Sequence, residues 1–210
     1  MTIDPAIEAF ADDFAREDEV LLAARDTADD LGVEPLTPGA GAALTVLTMA
    51  AHPKTIVEIG TGVGVSGIYL LRGMHPAGVL TTIDVEPEHH KAARASFMAA
   101  GFAPERVRLI TGRALDVLPR LTDGGYDLVL IDGKRTEFPA YLDEARRLVR
   151  PGGMIVVAHA LARGRVADPA QRDPDTTAVR EALRSVRRTE AENSSLIPIG
   201  DGLLVVIVGG

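Results

Sequence analysis

The sequence predicts an α/β protein: a doubly wound, mostly parallel sheet that ends in a C-terminal antiparallel hairpin and is preceded by an N-terminal helical cap. Three observations predict it. Apolar β-rich runs alternate with helix-period runs from residue 55 onward, the pattern of a parallel sheet with helices on both faces. A glycine-rich turn follows the first of those runs. The last two runs stand too close together for a crossover helix, and parallel neighbours need a connection of about a dozen residues or more.

Residues 1–52 read as helical, with Phe10 and Phe14 one turn apart and a break at Pro35-Leu36-Thr37-Pro38-Gly39. They are expected to cap a Rossmann-like core over residues 53–210, the whole chain forming one domain. Strands are expected at Thr55–Gly60, Val79–Asp84, Arg106–Thr111, Tyr126–Asp132 and Met154–Ala158, each a nearly continuous apolar run of the kind buried parallel strands show. Helices are expected near 64–74, 88–100, 114–121 and 138–149. In the last of these Phe138, Tyr141, Leu142, Ala145, Leu148 and Val149 recur at helical spacing until Pro151-Gly152-Gly153 ends the pattern. A Gly, Arg, Asp and Pro loop from Gly164 to Pro174 leads into a helix ending about Arg188. Ser195–Ile199 and Leu203–Val208, separated by Gly200-Asp201-Gly202, then form the hairpin.

The bulk properties exclude several function classes. The chain has 210 residues, 46% hydrophobic and 25% charged, an ordinary globular composition. Its net charge of −8 opposes phosphate backbones and anionic membrane surfaces, so neither nucleic acid nor membrane is an expected partner. The basic pairs Arg146-Arg147 and Arg187-Arg188 read as solvated helix faces. With no cysteine, disulfides, thiolate metal sites and a cysteine nucleophile are ruled out. Residues 1–19 lack the pattern of a secretory leader, and no apolar run approaches the roughly 18 residues of a membrane span. A cytoplasmic location is expected.

The chemistry is expected at Glu58-Ile59-Gly60-Thr61-Gly62-Val63-Gly64, where the first strand turns into a helix. Glycines there allow positive φ and let a ligand approach the backbone, and the helix N-terminus offers unpaired N–H groups. Asp84, ending the next strand, is placed to accept hydrogen bonds from two ribose hydroxyls outside the carboxyl ends of the strands. Gly62-Val63-Gly64-Val65-Ser66-Gly67 also spells the G-x-G-x-x-G of dinucleotide sites, which keeps an NAD-binding oxidoreductase as an alternative. Against it stand Gly60 two residues earlier, the terminal hairpin and Glu58, a carboxylate that would repel a pyrophosphate. S-adenosylmethionine (SAM) carries no phosphate and has a cationic amino group and sulfonium.

Taken together, VEIGTGVGVSGIYLL, TTIDVEPEHHKAAR, LITGRALDVLPRL, YDLVLIDGKRTEFPAYLDEARRLVRPGG and PIGDGLLVVIV resemble the caffeoyl-CoA and catechol O-methyltransferase family, most of all its bacterial O-methyltransferases, over about residues 33–208. The resemblance implies a class I methyltransferase fold and transfer of a methyl group from SAM to a hydroxyl oxygen of a small-molecule acceptor, a phenol being one candidate. It implies SAM contacts from Leu36, Glu58, Gly60, Thr61, Gly62, Ser66, Asp84, Val85, Ala114 and Asp132. Within that set Ser66 would donate to the methionine carboxylate, and Arg113-Ala114 would flank the adenine. It also implies a homodimer, consistent with an amphipathic N-terminal segment that needs an apolar surface to cover.

The departures from the family pattern are as informative. Metal-dependent members carry D-A-D-K after the fourth strand and Asp-Asn after the fifth, where this chain has Asp132-Gly133-Lys134-Arg135 and Ala158-His159. Asp132 is the only retained ligand position. Mg or Ca wants several hard oxygens, and Asp132 with His159 gives a softer ion such as Zn or Mn only two side chains. Catalytic candidates are therefore Asp132, Lys134, His159, read either as a general base or as a histidine that ends a strand and hydrogen-bonds locally, and Arg135, which stays protonated and is suited to an oxyanion or an acidic substrate. A SAM-binding protein without turnover is the third reading. His89 and His90 are expected to point different ways, and His52 and His75 to cap helices.

Overall fold

The computed structural model describes residues 5–209; the helical expectation for residues 1–4 lies outside them. Three helices precede the sheet: α1 (Pro5–Phe14), α2 (Glu19–Leu31) and α3 (Pro38–Ala51). Local chemistry sets their ends. Asp18 caps α2 by accepting from Leu21 N, Gly32 stops it in the left-handed conformation at φ 66°, and Thr37 caps α3 with Pro38 in its first turn. Beyond them run β1 (Thr55–Ile59), α4 (Val65–Gly73), β2 (Val79–Asp84), α5 (Pro87–Ala99), β3 (Val107–Thr111), the short α6 (Ala114–Val117), β4 (Tyr126–Ile131), α7 (Phe138–Leu148), β5 (Val149–Val157), α8 (Pro174–Arg188), β6 (Asn193–Ile197) and β7 (Leu203–Ile207).

The described strands form one sheet in the order β3-β2-β1-β4-β5-β7-β6. The first five are parallel, while β7 runs antiparallel to both β5 and β6. The hairpin is present, but its second strand, not its first, lies against β5. Period-two alternation divides the core. Ile56, Leu128, Leu130, Met154, Val156 and Leu203 pack under α2–α5, and Val57, Ile59, Val129, Ile131, Ile155 and Val206 pack under α6–α8.

Several boundaries differ from expectation, and the helix expected over 114–121 ends as an α-helix at Val117. The helical pattern stops at Leu148, before Pro151-Gly152-Gly153, because those residues already belong to an irregular start of β5, where the register against β4 shifts between Tyr126 and Leu128. The strand β6 begins two residues early, at Asn193. Arg146 and Arg147 also do more than face solvent: Arg146 holds Glu192 and Ser185, and Arg147 holds the Leu118 and Leu121 carbonyls.

The N-terminal helices are tied to the core by a partly buried polar cluster. The guanidinium of Arg25 donates to both oxygens of Glu17 and to the Leu36 carbonyl, and the Tyr69 hydroxyl of α4 donates to Glu17. Asp12 accepts from Gly39 N at 2.8 Å. This docking brings the α2–α3 connection, residues 32–37, over the carboxyl end of β1.

Candidate active site

Neighbours in the sheet order change direction between β1 and β4, and open α/β sheets bind ligands in the crevice this creates. A cavity of about 690 Å³ lies there, within the range of about 300–1,000 Å³ common for small-molecule sites. Its lining includes Val33, Glu34, Gly60, Gly62, Asp84, Val85, His89, Arg113, Ala114, Asp132, Lys134, Arg135, Tyr141 and His159. A smaller recess, lined by Pro35, Thr61, Val65 and Ser66, shares Val33, Glu34, Gly60, Gly62 and Asp132 with it.

Gly60 is required by a close approach. At φ 95° it brings the end of β1 against the end of β4, and a Cβ on it would stand 2.2 Å from the Asp132 carbonyl oxygen. The turn that follows is held from the side by Asp84, whose Oδ2 accepts from Thr61 N at 3.0 Å and Gly62 N at 2.9 Å. Its Oδ1 accepts from Glu86 N at 3.0 Å and meets His89 Nδ1 at 3.2 Å. The four acceptor positions of a carboxylate are thus engaged, only His89 reaching Asp84 through a side chain.

Leu36 and Glu58 line neither the cavity nor the recess. Leu36 is 2% exposed and belongs to the core cluster that includes Leu44 and Tyr69. Glu58 is fully buried behind the glycine turn, with Ser66 Oγ at 2.7 Å and Thr82 Oγ1 at 2.6 Å on its two oxygens. Strand parity is the reason: Glu58 shares a face with Ile56, beneath α4, and not the open carboxyl edge. Burial pushes its carboxyl up to about 8, and the nearby charges of Asp132 and Asp84 add to that against its hydrogen bonds. Ser66 lines the recess while donating to Glu58.

The hydrogen bonds continue through Thr82 to Thr61 and from there to His90, whose other ring nitrogen meets Thr111 at 2.8 Å. His89 and His90 do point different ways. His52 ends α3 in the left-handed conformation, its ring against His75.

At the other end of the cavity His159 follows β5 with φ 54°. A positive φ on a residue other than glycine is uncommon and collects at functional sites, and Ala162 and Arg163 in the same segment share it. Ala158 is turned into the core, so His159 is the side chain that this edge presents to Asp132. Its Nε2 lies 3.4 Å from Asp132 Oδ1 and its Nδ1 3.2 Å from Asp201 Oδ2. Burial opposes charge on the ring, but the hydrogen bond to Asp201 and the charge of Asp132 outweigh burial and Arg135, so its pKa lies above the usual range. Asp132, 13% exposed in its side chain, is pushed up to about 6 by burial, which His159 and Arg135 moderate.

Arg135 lies 3.4 Å from Glu34 and 3.7 Å from Asp201, and Arg163 pairs with Glu34 at 2.7 Å. Lys134 lines the cavity and is exposed. Glu34, Asp201 and Arg163 were not singled out by sequence. Gly200-Asp201-Gly202 was visible only as a turn, and nothing local shows what a turn side chain will face. Among the described residues no group of three His, Asp or Glu is arranged to hold a metal ion.

The O-methyltransferase family matches residues 17–208. A relative from Mycobacterium sp. (strain JLS) that carries an O-methyltransferase name is 50% identical over 200 residues, covering 95% of this chain and 91% of the relative. Among solved structures, the O-methyltransferase TomG from Streptomyces achromogenes in complex with SAM superposes with a TM-score of 0.86 at 30% identity, covering 98% of this chain and 96% of that one. The O-methyltransferase from Bacillus cereus in complex with SAH gives 0.86 at 25% identity, with 97% of each chain covered. These likenesses do not favour the dinucleotide-binding alternative.

Proposed function

Because the chain belongs to the O-methyltransferase family and is a SAM-dependent O-methyltransferase, we propose that it methylates a hydroxyl of a small-molecule acceptor, phenols included, with His159 as general base. The observation that carries this reading is His159, set at the cavity wall with Asp132 on one ring nitrogen and Asp201 on the other.

The cavity suits an adenosyl group. Asp84 is offered to the ribose, exchanging its His89 contact for a hydroxyl, while Val85, Arg113 and Ala114 form the wall for the adenine. The recess between the glycine turn and Ser66 takes the methionine end. When bound, SAM supplies an electrophilic methyl: the acceptor oxygen takes it, the S–CH₃ bond breaks with its electron pair left on sulfur, and S-adenosylhomocysteine leaves. The chain's own work is to hold the oxygen in line, a positioning effect, and to accept its proton on His159 Nε2. Asp132 stabilises the imidazolium that results, and Arg135 and Lys134 offset negative charge on the acceptor.

The same residues favour chemistry without a required divalent ion. Lys134 lines the same cavity as Asp132, and a like charge raises the electrostatic cost of binding a divalent ion there. Transfer of labelled methyl from SAM to catechol is expected to persist in EDTA and to rise little with Mg or Mn. Turnover that EDTA abolishes and either ion restores would overturn this.

The chain is further proposed to act in the cytoplasm, as one domain and as a homodimer. Supporting the dimer, Ile7, Phe10 and Phe14 of α1 and Val46 and Met49 of α3, two packed helices, are all more than half exposed, and large exposed apolar surface marks interfaces. Light scattering is expected to give twice the 22.2 kDa chain mass, and a monomer at micromolar concentration would refute it.

A further inference from the structure

Resting on the reading of His159 as base, we infer that Asp201, in the β6–β7 turn, is a positioning residue that fixes the ring of His159 and directs its unprotonated nitrogen at the acceptor.

The turn is fastened to the segment that carries His159. Ala160 N donates to the Gly202 carbonyl at 3.1 Å, and Leu161 N to the Asp201 carbonyl at 2.9 Å. Arg163 N donates to Asp201 Oδ1. Gly200 and Gly202 flank Asp201 at φ 53° and 84°, and a Cβ on Gly202 would stand 2.5 Å from Leu161. The approach therefore needs glycine. With Oδ1 held by a main-chain amide, Oδ2 is aimed at His159 Nδ1, 3.2 Å away.

An ionised carboxylate only accepts hydrogen bonds, and of the two carboxylates beside the ring only Asp201 stands in hydrogen-bonding geometry, so the neutral ring carries its proton on Nδ1. Nε2 is left with its lone pair toward Asp132 and the cavity. This is the arrangement a base needs, its orientation set by a third group. The charged groups around the ring are Asp132 and Asp201, the guanidinium of Arg135 and, through Arg135, Glu34. Asp201 alone addresses Nδ1. His159 holds its left-handed backbone conformation, a cost that the fastening to the turn offsets.

Asp201→Asn separates orientation from shape. Its amide oxygen can still accept from Arg163 N, which turns the NH₂ toward Nδ1 and favours the tautomer protonated on Nε2. The protein saturated with S-adenosylhomocysteine is to be studied by ¹⁵N–¹H correlation at alkaline pH, with the His159 signals assigned by their loss in His159→Gln. Wild type is expected to show the Nδ1–H tautomer, Asp201→Asn the Nε2–H tautomer, and Asp201→Glu a return toward wild type. With catechol as acceptor, Asp201→Asn should lower kcat about 100-fold, the lower end of what a positioned base contributes, with KM for SAM unchanged. An unchanged tautomer in Asp201→Asn overturns the inference. A kcat that falls in His159→Gln but not in Asp201→Asn overturns it too, leaving His159 as base. A kcat unchanged in both overturns the base as well.

Discussion

Replacing His159 by Ala is expected to lower kcat by about 10²- to 10⁴-fold, the usual contribution of general acid–base catalysis, while leaving the affinity for SAM near that of wild type. The ring touches Asp132 and Asp201 at the acceptor end of the cavity, away from Asp84 and the adenine wall. The pH dependence has a definite sign. The pKa of His159 is raised above 6.5, and only the neutral ring can take a proton, so the rate should climb as pH rises through that raised value. The charged ring stabilises the fold at low pH and loses that contribution over the same interval. Pre-steady-state methyl transfer in wild type and variant between pH 5.5 and 9 would measure the rate, and melting curves over the same range the stability. A variant with wild-type kcat, or a profile without the acid limb, would remove His159 from the chemistry.

The second large effect is expected on cofactor binding. Asp84→Ala should weaken SAM and S-adenosylhomocysteine by about 100-fold or more, since hydrogen bonds to a charged group contribute roughly 1.5–3 kcal/mol each and about 1.4 kcal/mol is a factor of ten. Two losses combine. The ribose hydroxyl that replaces His89 loses its acceptor, and the amides of Thr61 and Gly62 lose the carboxylate that shapes the glycine turn. Asp84→Asn separates them, because its single amide oxygen can keep the turn while giving the ribose less. Calorimetric titration with S-adenosylhomocysteine, beside a melting curve to verify folding, gives the answer. Undiminished affinity in Asp84→Ala would show that the ribose is held elsewhere.

The residues that sequence reading located best are those whose role depends on near neighbours in the chain. The strand–glycine turn–helix at residues 55–73, Asp84 at the end of β2 and Asp132 at the end of β4 follow from apolar runs broken by residues that leave a sheet edge. The hairpin followed from the short connection after β6, a constraint of chain length alone. Glu58 lies buried behind the glycine turn, and the sequence carries the signal for it: in a strand of period two it shares parity with Ile56, and so points beneath α4. Ala158 shares parity with Met154 and Val156 in the same way, which leaves His159, two residues past the strand, to reach the site.

Other features could not be read from any local pattern. The expected runs Ser195–Ile199 and Leu203–Val208 are both apolar and of similar length, so that either could have paired with β5. The choice of β7 rests on burial, as Leu203, Leu204, Val205 and Val206 are all buried whereas β6 is mostly exposed. That choice carries the turn containing Asp201 to the carboxyl edge, beside a histidine 42 positions earlier in the chain. The bridge from Glu34 to Arg135 and Arg163 spans 101 and 129 positions and depends on how α2 and α3 dock. By itself the sequence determined the strands, the glycine turn, Asp84, Asp132 and the helical stretches around them, because backbone preference and burial pattern act over a few residues. Which carboxylates surround His159 was decided only by the tertiary structure, because charged partners far apart in the chain are brought together by the packing of the elements that carry them.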